Sequence, residues 1–180
     1  MQSQPNVRPY ASVWRRITAY LIDYAILFAV LVPLQGLIAF VSNGFPYNLL
    51  KTGLQIELWV LLSVSLPVWL YFALSEQSSR KATLGKRIFR LQVTRMSGDR
   101  LGFGRAILRT VIKLLPWELT HITLLLPVPL WWDATPEFRF GIIVVYVLIG
   151  IYLVTMFLNR RRQSIHDLLV KTVVVETGKS

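Results

Sequence analysis

Apolar positions fall into four long stretches separated by polar connections. From Tyr24 to Tyr47 no side chain ionises except the tyrosine phenols, and the apolar stretch this run belongs to exceeds the roughly 20 residues a membrane-spanning helix needs. The predicted spans are residues 17–41, 54–74, about 114–132 and 138–158. The third stands apart, because Glu118 and His121 lie near its start and Pro127 and Pro129 near its end. Crossing the bilayer, re-entering it and lying in its interface are all open to such a segment.

The polar residues 75–113 carry their own pattern. Arg90-Leu91-Gln92-Val93-Thr94 alternates apolar with polar, Ser97-Gly98-Asp99 is a turn signal, and Thr172-Val173-Val174-Val175-Glu176 is rich in β-branched residues. A small sheet between these two runs is therefore expected beneath the helices. Arg105, Arg109 and Lys113 recur every four residues, forming a cationic stripe on a helix whose other side carries Ile107, Leu108, Val111 and Ile112. Such a helix suits anionic lipid, either as an anchor at phosphate depth or as a dedicated anion site. With Lys86 and Arg87 of the same loop, the three are the expected lipid or partner contacts.

Composition agrees with a lipid environment: 54% of residues are hydrophobic and 16% charged, and the mean hydropathy is +0.51. The first stretch is too long for a secretory signal peptide and has no clear cleavage site. A net charge of +11 raises nucleic acid as a partner, but the placement of the cations answers otherwise. Three precede the first span, ten lie between the second and third, from Arg80 to Lys113, and five follow the last. Eighteen of the twenty thus share one side if four spans cross, with Lys51 and Arg139 the exceptions. By the positive-inside bias both termini are cytoplasmic, and the expected location is a cell membrane, of bacterial type. Paired Trp131 and Trp132 suit an aromatic belt on the outer side. The loop has no series of stacking aromatics, so nucleic acid is excluded as a partner. No repeat or linker divides the chain, and residues 1–180 are read as one domain.

Asp23 lies about two turns inside the first span, where an unpaired carboxylate costs several kcal/mol. Arg16, seven positions earlier, falls on nearly the same face with Tyr20 between them, so a structural ion pair and an ion or proton site are the competing readings. Glu118 and His121, three positions apart, share a face of the third segment. If that segment crosses, they come level with Asp23 and the three form a candidate ion or proton site. Two histidines and no cysteines give no convincing zinc site, and nucleophile elbow, P-loop and dinucleotide motifs are missing. No catalytic residue, metal or cofactor is expected, and the chain is not read as an enzyme.

Ala11-Ser12-Val13-Trp14-Arg15-Arg16 with Ala19-Tyr20-Leu21-Ile22-Asp23 resembles the opening of RDD-family membrane proteins. Thr83-Leu84-Gly85-Lys86-Arg87 with Leu91-Gln92-Val93 resembles the family's central loop, and Arg161-Arg162-Gln163-Ser164-Ile165-His166-Asp167 its closing motif. The arginine and two aspartates that name the family would be Arg16, Asp23 and Asp167, with Arg15 the alternative arginine. The resemblance implies a role in transport, including exchange of sodium or another monovalent cation for protons. Asp167 lies nine residues beyond the last span; it is expected to cap a short helix and to pair with Lys86 or Arg87.

The expected fold is thus an all-α integral membrane protein of four transmembrane helices with a small cytoplasmic β element. The leading function is monovalent cation/proton exchange through Asp23, Glu118 and His121 in a homo-oligomer. The alternative is a non-transporting adaptor whose basic loop binds a partner or anionic lipid.

Overall fold

The computed structural model describes residues 9–135 and 137–177; Arg8 and Lys179, two cations of the charge count, lie outside the described residues. Helix α1 runs over Val13–Val41 and α2 over Gly53–Gln77. A capping box starts α2: Thr52 Oγ1 accepts from the Gln55 amide, and the Gln55 side chain accepts from the Thr52 amide. Midway, Leu61–Ser65 widens into a π-turn just ahead of Pro67, whose missing N–H and bulky ring disturb regular α-helical bonding. Then come α3 (Leu84–Ile88), β1 (Leu91–Arg95), α4 (Phe103–Leu125), a 3₁₀ turn at Leu130–Trp132, α5 (Gly141–Leu158), α6 (Ile165–Val170) and β2 (Thr172–Glu176).

Helices α1, α2 and α5, and the segment Phe103–Trp132 that contains α4, are long and apolar enough to cross a membrane. Their large apolar side chains point outward, as at Leu21, Phe40, Leu62 and Val154, which is costly in water and natural in lipid. The molecule is a mostly helical membrane protein with a two-stranded sheet.

The third segment runs antiparallel along the whole of α2. At one end Arg109 pairs with Glu76 near the close of α2. At the other, the Leu125 carbonyl lies against Gly53, where an added Cβ would sit 1.9 Å from that oxygen. Only glycine permits this approach. A helix that follows a spanning partner from end to end has the reach to span with it, so a flat interfacial placement does not describe it. The cationic stripe, expected on a separate helix in the loop, belongs to this same helix. Pro116 interrupts its bonding by leaving the Ile112 carbonyl without an amide, and Tyr152 Oη of α5 donates to that oxygen at 2.6 Å.

The expected sheet forms. Strand β1 pairs antiparallel with β2, Leu91 opposite Glu176 and Arg95 opposite Thr172. The N-terminal segment extends it, with Tyr10 bridged to Val175 and the Ala11 amide donating to Val174 O at 2.9 Å. Ala11, Leu91, Val93, Leu101 and Val174 pack with Ala19, Ala73 and Ala106 of the helices, which fixes the sheet against the basic end of the bundle.

Candidate functional site

The buried polar groups form three sites at different depths. In the first, Asp23 is fully buried, yet its partner is not Arg16. Oδ1 accepts from Tyr71 Oη at 2.6 Å and from the Gly85 amide at 2.8 Å, and Oδ2 accepts from Thr83 Oγ1 at 2.5 Å. Three donors satisfy the carboxylate without a cation. Thr83 also caps α3 through the Lys86 amide. Gly85 lets α3 lie directly on α1, since a Cβ there would be 2.0 Å from Ala19 O. Asp23 therefore clasps the Thr83-Leu84-Gly85 turn to the first helix.

The second site lies at the basic end. Glu76 is fully buried: Lys86 Nζ and Lys113 Nζ approach its Oε1 at 2.7 and 3.3 Å, and Arg109 Nη1 donates to Oε2 at 2.5 Å. Arg109, only 1% exposed, also donates through Nη2 to Asp167 Oδ1 at 2.7 Å. Arg16 pairs with Asp167 Oδ2 and donates to Arg162 O, while Thr172 Oγ1 donates to Oδ1 at 3.1 Å. Asp167 also completes the capping box of α6 with Ser164, so the expected helix cap is present. The expected pairing with Lys86 or Arg87 is not: Lys86 is taken by Glu76, and Arg87 donates to Ala82 O. Burial alone would raise the Asp167 carboxyl, but Arg16 and Arg109 outweigh it and hold the group well below the usual carboxylate range. Burial holds the neighbouring His166 imidazole well below its ordinary value, and Arg109, Arg16 and Lys113 add to this against the pull of Asp167.

This arrangement corrects the reading of the stripe. Arg109, Lys113 and Lys86 turn inward into ion pairs instead of forming an exposed stripe on the loop surface; Arg105 alone of the stripe is exposed. Of the two adjacent arginines, Arg16 enters the network, whereas Arg15 bridges to Glu176 at 2.7 Å and is 40% exposed. Glu76, the central anion, was not among the residues predicted from sequence. Its signal was there: two cations on one helix face need a carboxylate if that face turns inward.

The third site is in mid-span. Glu118 accepts from Ser65 Oγ and from Trp69 Nε1, both at 3.0 Å. Both donors are neutral. Glu57 of α2, 9% exposed, leaves Oε2 without a hydrogen-bond partner among the described residues, and His121 Nδ1 is equally unpartnered. His121 packs edge-on against Trp117, with ring centroids 4.6 Å apart. Among the described residues no hydrogen bond or ion pair joins Asp23 to Glu118 or His121. The reason is angular: Trp69 and Tyr71, which hold Glu118 and Asp23, are two positions apart on α2 and so point about 200° from one another. The expected three-residue site thus divides in two, and Ser65, Trp69 and Glu57 are the additions at the Glu118 end. No cluster of three or more His, Asp or Glu able to hold a metal occurs among the described residues.

No curated protein and no solved structure matches the chain. Residues 10–171 match the model of the RDD family, and that region contains Arg16 and Asp167 in the buried network and Asp23 in the clasp. The chain belongs to the RDD family.

Proposed function

We propose that this is a transport-related membrane protein that binds and releases a proton at Glu118 in exchange for a monovalent cation. The supporting observation is that Glu118, within a membrane-spanning helix, accepts hydrogen bonds among the described residues only from the neutral Ser65 and Trp69. A carboxylate surrounded by protein and lipid with no cationic partner is costly as an anion, so it retains a proton or takes a cation. Glu57 and His121 supply further unpartnered polar atoms on the same two helices. Glu76 and Asp167 are neutralised by arginine and lysine, which suits a structural role, and Asp23 is held by fixed donors.

In this reading the cation-rich end faces the cytoplasm, the protein resides in the cell membrane, and two or more copies line the pathway. The test is proton flux in proteoliposomes under an imposed sodium or potassium gradient, followed with an internal pH dye. Glu118→Gln lowers cation-dependent flux at least about tenfold, the effect of removing one essential proton-transfer group, without reducing protein yield. Asp23→Asn lowers yield, while the protein that does insert still carries flux. Wild-type flux from Glu118→Gln would sink the proposal.

A further inference from the structure

We infer that the cavity between α1, α4 and α5 is a binding site for an acidic phospholipid, headgroup toward the basic end and one acyl chain along the helices. The cavity has a volume of about 460 Å³, within the range of sites that hold small ligands. Its floor is formed by Arg16, Lys86, Arg109 and Lys113, four cations that share only two carboxylates, Glu76 and Asp167. By formal charge the cations exceed the carboxylates by two, on the floor of a site that opens toward the lipid. Lys113 is the least satisfied of them: its ammonium makes one long contact to Glu76 and otherwise lies 3.4 Å from the centre of the Phe72 ring. Buried charge without a counter-ion is strongly unfavourable, and an anion on this floor supplies one.

Two cavity-lining residues also carry unsatisfied donors or acceptors. His166 Nδ1 and Trp117 Nε1 both belong to residues lining the cavity, and both are buried with no hydrogen-bond partner among the described residues. His166 itself is only 7% exposed.

The apolar walls select a lipid over a soluble anion. Moving up α4 from Arg109 past Lys113 to Trp117 and Thr120, the lining passes from charged to largely uncharged over about 16 Å. Leu21, Ile149 and Leu153 line the cavity yet are 60%, 40% and 37% exposed, so its rim lies on the lipid-facing surface between α1 and α5. A molecule with an anionic head and an apolar tail fits both ends. A free cation does not, because the floor repels it. This site is separate from Glu118, and its test does not use flux.

The test uses full-length protein in nanodiscs with equal phosphatidylglycerol and phosphatidylcholine, with retained lipid counted by native mass spectrometry after transfer to detergent. Phosphatidylglycerol is retained in preference by roughly twenty-five-fold, since each of the two surplus basic groups beside an anionic lipid contributes roughly fivefold. Lys113→Gln reduces that preference about fivefold. Because that change also touches the ion-pair network, Leu153→Trp provides a second variant that fills the cavity from the lipid side and leaves every ion pair intact. It releases the retained phosphatidylglycerol without lowering thermal stability in lipid-free detergent. Arg105→Gln, which alters an exposed cation outside the cavity, leaves retention unchanged. Equal retention of the two lipids overturns the inference, as does undiminished phosphatidylglycerol on Leu153→Trp. Stabilisation by inorganic phosphate equal to that by phosphatidylglycerol overturns it too, by assigning the site to a soluble anion.

Discussion

Asp167→Asn isolates what the buried network contributes. The substitution keeps the size of the side chain but removes the charge that Arg16 and Arg109 share, and its amide nitrogen puts a donor where one carboxylate oxygen accepted. Removing one partner of a buried ion pair costs about 3–5 kcal/mol, most of it from leaving a charge uncompensated. Arg109 still has Glu76 at 2.5 Å, so the expected loss lies at the lower end, about 3 kcal/mol. The neighbouring surface pair is the internal control: Arg15 and Glu176 are 40% and 29% exposed, and Arg15→Gln is expected to cost under about 1 kcal/mol. Both are read from reversible unfolding in mixed detergent micelles at neutral pH. The acid limb adds a second signature. Because the folded carboxyl lies below its unfolded value of about 4, its contribution is complete above about pH 4 and is lost as pH falls through the depressed folded value. Wild-type protein therefore weakens on that descent, and Asp167→Asn weakens less steeply. A loss for Asp167→Asn no larger than that for Arg15→Gln would refute the claim that this network holds the basic end together.

Gly85→Ala forces a Cβ to within 2.0 Å of Ala19 O unless the backbone moves; a loss of about 2 kcal/mol or more is expected from unfolding curves, and a neutral result would disprove the close packing of α3 on α1. Tyr71→Phe removes the donor to Asp23 Oδ1 and the acceptor for the Leu84 amide, for about 1–3 kcal/mol by the same measurement. Tyr152→Phe costs about 1 kcal/mol in the wild-type background by depriving Ile112 O of its donor. The cost falls in Pro116→Ala, where a restored amide can bond that carbonyl, so strictly additive losses in the double variant would contradict the role given to Tyr152.

The sequence made the membrane class, the spans and the sheet legible, because each rests on local information: run length for the helices, alternation and β-branching for β1 and β2. It misled where lipid reverses the rule that holds in water. Their four-residue spacing makes Arg105, Arg109 and Lys113 an outward stripe opposite an apolar face. In the folded protein Leu108 is 51% exposed and Arg109 1%, because large apolar side chains lose nothing by facing acyl chains, whereas cations must find carboxylates inside the bundle. Small or polar residues on the same face, Ala106 and Thr110, are fully buried, and they marked the inward side. Spacing along α1 could not reveal that Asp23 and Arg16 part company either. Their separate partners, Thr83 and Asp167, lie 60 and 151 positions away in the chain and meet them only after the loop and tail have folded back.

The two proposed sites constrain one another through charge. Glu118 lies five positions beyond Lys113 on α4, about 7–8 Å along the axis. Taken as the least possible separation, and with an effective dielectric of about 20, that distance limits the opposition to a cation near Glu118 to about 2 kcal/mol for each uncompensated floor charge and about 4 kcal/mol for two. An empty floor would therefore reduce cation occupancy at Glu118 by at most roughly a thousandfold. One singly charged lipid on the floor removes half of that opposition. Exchange at Glu118 should consequently be faster in phosphatidylglycerol liposomes than in phosphatidylcholine at equal ionic strength, by up to roughly thirtyfold, and Leu153→Trp should abolish the difference between the two lipids without abolishing flux. A lipid dependence that survives Leu153→Trp would place its origin at the membrane surface rather than in the cavity. Flux that ignores lipid charge altogether would mean that the floor does not act electrostatically on Glu118.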